Sequence, residues 1–193
     1  MKAVLISIQP KWVEKIASGE KTIEIRKTKP KLETPFKCYI YCTIGNGVKG
    51  DYLVPSGIQC GKVIGEFVCD RIDEFHEWEL SPSKRFYKQE KARLDLFLKE
   101  SCLSYGEVCE YRKNLQHIKP LYAWHISNIK IYDKPKWLSE FRKPCKFAYS
   151  SYEEGICYED CIKGKLEDCR NFCLPITRPP QSWCYVEELG DKK

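Results

Sequence analysis

A change of periodicity at Gly19 is the sequence feature that most constrains how this chain folds. Before it, the apolar members of residues 12–17 recur at helical spacing, and glycine commonly ends a helix. After it, residues 21–27 alternate between polar and apolar side chains, which is typical of a half-buried strand. The sequence therefore predicts a short helix that stops at Gly19 and leads directly into a strand.

The polar residues of that predicted strand are candidates for a binding site. Alternation places Thr22, Glu24 and Arg26 on one face and two isoleucines on the other. If the isoleucines are buried, the polar face meets solvent or lines a cleft. In a cleft, Arg26 suits a planar bidentate contact and Lys21 a point charge on phosphate. The alternative is a solvated face whose charges pair with each other, worth at most about 1 kcal/mol.

Strands outnumber core helices along the rest of the chain. Alternating or β-branched segments predict strands at residues 2–9, 21–27, 36–44, 61–75 and 121–132. Helices are predicted at residues 10–17, in a region that opens near residue 81, and after a capping box formed by Ser104 and Glu107. The strands do not alternate regularly with helices, so a doubly wound parallel sheet is not expected.

An α+β, β-rich fold is therefore predicted: a small, mostly antiparallel barrel with flanking helices. Residues 1–134 are expected to form this domain, interrupted by a helical insertion at about 81–115. Residues 135–193 are expected to form a cysteine- and proline-rich extension packed on the barrel.

Charge and hydropathy limit the classes of partner and location. The formal net charge of +6 mildly favours an anionic partner such as nucleic acid or a nucleotide. The sequence contains no apolar run near the roughly 20 residues that cross a bilayer, and the N-terminal apolar run is too short for a secretory signal. A cytoplasmic protein without a membrane partner is expected.

Twelve cysteines are many for such a protein, and six of them lie after residue 144. The first six are interpreted as buried thiols. The tail contains two i, i+4 pairs, which would present four sulfurs to a tetrahedral Zn²⁺ if both lie on helices. Reduced thiols and disulfides are the alternatives, and Cys145 and Cys184 are substitute ligands. The zinc candidates are Cys157, Cys161, Cys169 and Cys173.

Four motifs give the chain a family resemblance. They are Ser7-Ile8-Gln9-Pro10-Lys11-Trp12, Gly19-x-Lys21-x-x-Glu24-x-Arg26, Tyr39-Ile40-Tyr41 and Trp124-His125-Ile126. Over residues 1–133 the chain resembles the ASCH family of the PUA-like superfamily. The resemblance implies a five- or six-stranded pseudo-barrel. It also implies a cleft beside the first helix, in which the lysine and arginine of the motif face a nucleic acid or nucleoside.

Neighbouring residues are candidates for contacts to a base. Trp12 and Trp124 are candidates for stacking, which is worth roughly 1–3 kcal/mol per base, although aromatic residues in a small barrel are often core and Tyr41 is assigned there. Gln9 either reads a base edge or caps the helix. The predicted ligand-binding set is Gln9, Lys11, Trp12, Lys21, Glu24, Arg26 and Trp124.

Three functions follow, with binding favoured. The first is a module that binds RNA or a modified nucleoside in a basic cleft at the Gly-x-Lys-x-x-Glu-x-Arg motif and requires no cofactor. The second is a small hydrolase of an acetylcytidine-like nucleoside amide or of RNA. For it, the resemblance implies a catalytic Lys21, a threonine where this chain has Glu24, and a later glutamate for which Glu100 is the nearest candidate. The third is a protein-interaction module that uses the C-terminal extension, with an unknown partner.

Overall fold

The computed structural model describes residues 1–44, 57–79, 88–116, 119–144 and 175–189. The strands in these residues are β1 (Lys2–Ile8), β2 (Ile23–Arg26), β3 (Phe36–Cys42), β4 (Val63–Phe75), β5 (Leu121–Lys136) and β6 (Trp183–Glu187). The helices are α1 (Pro10–Ala17), α2 (Lys88–Ser101) and α3 (Tyr105–Arg112), with a short 3₁₀ turn at Leu138–Glu140. The predicted α+β, β-rich class is confirmed.

The strands form one mixed sheet in the order β2-β5-β4-β3-β1-β6. β1 and β3 pair in parallel, and the segment that contains α1 and β2 provides the long connection that a parallel pair requires. The other strand pairs are antiparallel. β2 and β6 are the two edges of this sheet, so it is not a closed barrel. The edges nevertheless approach each other, since Arg26 of β2 contacts both Ser7 of β1 and Ser182 next to β6.

Apolar packing against the helical insertion fixes the orientation of β2. Ile23 and Ile25 are buried in a cluster with Phe97 of α2 and Val108 of α3. The helical insertion therefore covers one face of β2, as alternation of the isoleucines predicts. Glu24 and Arg26 consequently point to the opposite face, towards α1 and β1.

Two features of the sheet differ from the sequence prediction. β6 was not predicted, because its five residues follow a proline-rich segment and are too few to show a clear strand pattern. Antiparallel pairing with β1 and the complete burial of Val186 stabilise this strand. β5 was predicted to end before Pro135 but continues to Lys136. Beyond Ile126, β5 pairs only with β4 among the described strands. Pro135, which has no backbone N–H to donate, is therefore tolerated, because no second neighbouring strand needs that hydrogen bond there.

The cysteines of the sheet are mostly buried thiols, as predicted. Cys38, Cys42, Cys60 and Cys69 are buried, whereas Cys102 is only partly buried and Cys109 is exposed, which corrects the prediction for those two. Cys184 lies half-buried on β6. The four candidate zinc ligands in the tail lie outside the described residues, so the zinc site stays a prediction.

None of the helices in the described part of the chain is long and apolar enough to cross a bilayer.

Candidate nucleic-acid cleft

A cleft of about 1350 Å³ opens beside α1, where the sequence places its candidate site. Its walls come from the end of β1, the first turn of α1, β2, α3 and the segment before β6. The predicted residues that line it are Gln9, Lys11, Trp12, Lys21, Glu24 and Arg26.

The end of α1 places Lys21 inside the cleft. Gly19 has a φ of +77°, a conformation that glycine adopts without steric cost, and the backbone N–H of Lys21 donates to the carbonyl of Lys15 at 2.9 Å. The chain therefore turns back against α1 before β2 begins. Lys21 is 3% exposed, and its Nζ donates to the carbonyl oxygen of Ser101 at 2.7 Å.

Glu24 is a buried carboxylate between two buried cations. Its Oε2 lies 3.4 Å from Nζ of Lys21, and its Oε1 lies 3.1 Å from Nη2 of Arg26. All three side chains are less than a tenth exposed. The polar face of β2 is therefore not a solvated strand face.

Arg26 is fixed by residues that are distant in sequence. Its Nη2 donates to the carbonyl of Ser7 at 2.6 Å, and its Nη1 donates to Oγ of Ser182 at 3.3 Å. The Nε group is buried and has no hydrogen-bond partner among the described residues. Buried donors are usually paired, so this N–H is an exception within the wall of the cleft.

Burial lowers the pKa of Lys21 below the usual value for a lysine, with a smaller lowering from Arg26, while Glu24 opposes the shift. Removal from water disfavours the charged form. A lysine with a lowered pKa is more readily deprotonated, which a nucleophile or base requires.

Gln9, Lys11 and Trp12 form the outer part of the same cleft. Gln9 occupies the N-cap position of α1, but its side chain makes no capping hydrogen bond and is exposed. The capping alternative is therefore wrong, and the amide is available to a ligand. Nζ of Lys11 lies 4.2 Å from the ring centroid of Trp12 and 3.8 Å from Glu107.

Trp124 lies in the core and not in the cleft. It is fully buried, and its ring centroid lies 5.9 Å from those of Phe36 and Trp183. Its ring is therefore inaccessible to a base, and the prediction that Trp124 contacts the ligand is wrong. Tyr41 contacts the cleft but is buried in a cluster with Val63 and Phe141, as its assignment to the core predicts.

Two walls of the cleft were missed from the sequence. Glu107, Glu110 and Tyr111 of α3 line one side, and residues 179–182 line another. The i, i+3, i+4 spacing of the three α3 residues signals a shared helix face, but Glu107 was assigned only to the capping box. It does form that box with Ser104.

Glu100 does not line the cleft. Its backbone carbonyl accepts a hydrogen bond from the N–H of Thr22. Glu107 and Glu110 are the later glutamates that reach the site.

The cleft is not basic overall, although a basic cleft was predicted. The described lining contains three cationic side chains and three carboxylates. The cations are Lys11, Lys21 and Arg26, and the carboxylates are Glu24, Glu107 and Glu110. This balance suits a ligand held by directed hydrogen bonds better than one held by charge alone.

Comparison with known proteins identifies the family of this chain. The profile of the ASCH domain matches residues 6–166, which is most of the chain. The chain belongs to the ASCH domain family. ASCH domains are a PUA-like family of RNA-binding domains. No curated protein matches the chain.

Solved ASCH structures share the fold. An ASCH protein from Zymomonas mobilis is 18% identical, with a TM-score of 0.52 over 96% of this chain and 88% of that one. Two single-residue variants of that protein are 17% and 16% identical, each with a TM-score of 0.53, over 97% and 96% of this chain and 92% and 89% of theirs. At these identities the likeness establishes the fold alone.

Proposed function

We propose that this ASCH domain binds RNA or a modified nucleoside in the cleft beside α1. The observation that carries the proposal is an open cleft whose wall holds Lys21, Glu24 and Arg26 in fixed positions. In the outer part of the cleft, Gln9 provides a side-chain amide that makes no capping hydrogen bond, and Trp12 provides a partly exposed ring. Hydrogen-bond donors, amides and aromatic rings are the groups that proteins use to read unstacked RNA bases.

The fixed position of these groups supports binding. Arg26 is held by Ser7, Glu24 and Ser182, so its guanidinium is already ordered. Preordered groups lose less conformational entropy when a ligand arrives.

Replacing Gln9 and Lys11 together by alanine tests the proposal with little risk to the fold, because both side chains are exposed. The expected result is at least a fivefold loss of affinity, about 1 kcal/mol, for a short single-stranded RNA and for a free nucleoside. Fluorescence anisotropy and calorimetry measure these affinities.

The matched control is the double variant Gln116→Ala/Lys119→Ala, whose side chains are exposed outside the cleft. It should bind as the wild type does. Equal affinities for the two double variants would show that the cleft is not the binding site.

Hydrolysis of a nucleoside amide is a second candidate function, favoured by the environment of Lys21. The ammonium is buried, burial lowers its pKa, and it lies 3.4 Å from Glu24. A neutral lysine in such a pocket acts as a base or nucleophile, while Glu107 and Glu110 provide carboxylates in the same cleft.

Turnover of acetylcytidine separates this candidate from binding alone. If the chain is a hydrolase, wild-type protein releases acetate, and Lys21→Met reduces kcat by at least about 100-fold, the usual contribution of a positioned acid or base. Chromatographic detection of cytidine measures the rate, and the melting temperature of the variant reports its folding. Wild-type binding without release of acetate rejects the hydrolase.

A further inference from the structure

The charge balance of the cleft leaves few cations for the phosphates of a bound RNA. Neutralisation of phosphates supplies much of the affinity of RNA-binding proteins. Among the described lining residues, three carboxylates offset three cations, and Lys21 and Arg26 are already engaged with Glu24. Lys11 is the remaining cation of the described lining, so further contacts to phosphates are expected outside the cleft.

The loop between β2 and β3, residues 27–35, leaves the cleft directly after Arg26. It begins Lys27-Thr28-Lys29-Pro30-Lys31. Nζ of Lys27 lies 4.9 Å from the ring centroid of Tyr111, and Tyr111 lines the cleft. The first lysine of the loop therefore stands at the rim.

Two side chains of β6 hold this loop in place, although the loop has no regular secondary structure. Nε1 of Trp183 donates to Oγ1 of Thr28 at 3.0 Å, and the backbone N–H of Lys31 donates to the hydroxyl of Tyr185 at 2.7 Å. Pro30 is buried. The lysines thus project from an ordered backbone, which lowers the entropic cost of binding.

The three lysines differ in their availability. Nζ of Lys29 is 2.7 Å from Glu74 in an ion pair. Neither Lys27 nor Lys31 forms an ion pair with another described residue. Lys27 is partly exposed and Lys31 is exposed.

We propose that Lys27 and Lys31 bind the phosphates of a single-stranded RNA whose neighbouring nucleotide occupies the cleft. This inference rests on the proposed function, and in it the cleft and the loop each contribute to RNA binding. The cleft selects a nucleotide through directed hydrogen bonds, and the loop holds the backbone of the RNA by charge.

The double variant Lys27→Gln/Lys31→Gln tests this division. Each phosphate contact contributes about 0.7 to the slope of log affinity against log salt for a single strand. The variant should therefore lower that slope by about 1.4 and weaken binding of a short single-stranded RNA about 25-fold at about 0.1 M salt. Its affinity for a free nucleoside, which has no phosphate, should be unchanged.

Lys130→Gln/Lys134→Gln is the matched control, because it removes the same charge from two exposed lysines of β5 that do not line the cleft. An equal effect of both double variants would overturn the loop proposal while leaving the cleft intact. Failure of wild-type protein to bind RNA would overturn this inference, and failure to bind a free nucleoside as well would overturn the proposed function with it. Thermal unfolding of each variant establishes that the fold is retained.

Discussion

Replacing Glu24 by glutamine should lower the free energy of unfolding by about 3–5 kcal/mol, the cost of removing one partner from a buried ion pair. The carboxylate of Glu24 lies between the ammonium of Lys21 and the guanidinium of Arg26, and all three groups are buried. Glutamine keeps the shape of the side chain but leaves two buried cations without a counter-charge. For a chain of this size the melting temperature should fall by roughly 6–20 °C.

Chemical denaturation measures this change, and Glu110→Gln is its control. Glu110 pairs with Lys113 at 3.5 Å, but both side chains are more than two-thirds exposed, so its loss should cost only a few tenths of a kcal/mol, the usual range for an exposed helical pair. Adding Lys21→Met to Glu24→Gln should recover part of the stability, since one uncompensated cation is then removed. Equal stabilities of the two single glutamine variants would contradict a buried ionic site.

Replacing Trp124 by alanine should also destabilise the protein by about 3–5 kcal/mol, the range for large-to-small changes in a core. Trp124 is among the largest fully buried side chains of the described residues. Its indole N–H is buried without a hydrogen-bond partner there. Trp124→Phe keeps an aromatic ring and removes that unpaired donor, so its cost should be much smaller.

The same pair of variants tests the reassignment of Trp124 from ligand contact to core. Under conditions where both variants are folded, Trp124→Phe should bind a short single-stranded RNA as the wild type does. A large loss of RNA affinity in Trp124→Phe, at unchanged melting temperature, would show that Trp124 contributes to RNA binding and not only to the core.

The order of the first elements follows from local sequence. Helical spacing before Gly19 and alternation after it predict α1 and β2, and the structure places these elements at Pro10–Ala17 and Ile23–Arg26. Alternation also predicts that Glu24 and Arg26 share a face opposite the isoleucines. These features depend on side chains a few residues apart, so a single segment contains the information.

Residues far apart in sequence decide the character of the site. Arg26 is oriented by Ser182, 156 residues away, and α3 adds Glu107 and Glu110, which turn a predicted basic cleft into a balanced one. Trp124 is buried because Trp183 of β6 and Phe36 of β3 pack on it, and neither contact is visible from the alternation of β5.

The sequence by itself determined that Lys21, Glu24 and Arg26 belong to one polar row at the end of a helix and in the following strand. Only the tertiary structure decided that this row is buried, and that Glu24 bridges the two cations. It also decided that the loop after Arg26, which carries Lys27 and Lys31, is held by β6. Periodicity specifies which way a side chain points, whereas burial and electrostatic environment depend on what the rest of the chain brings against it.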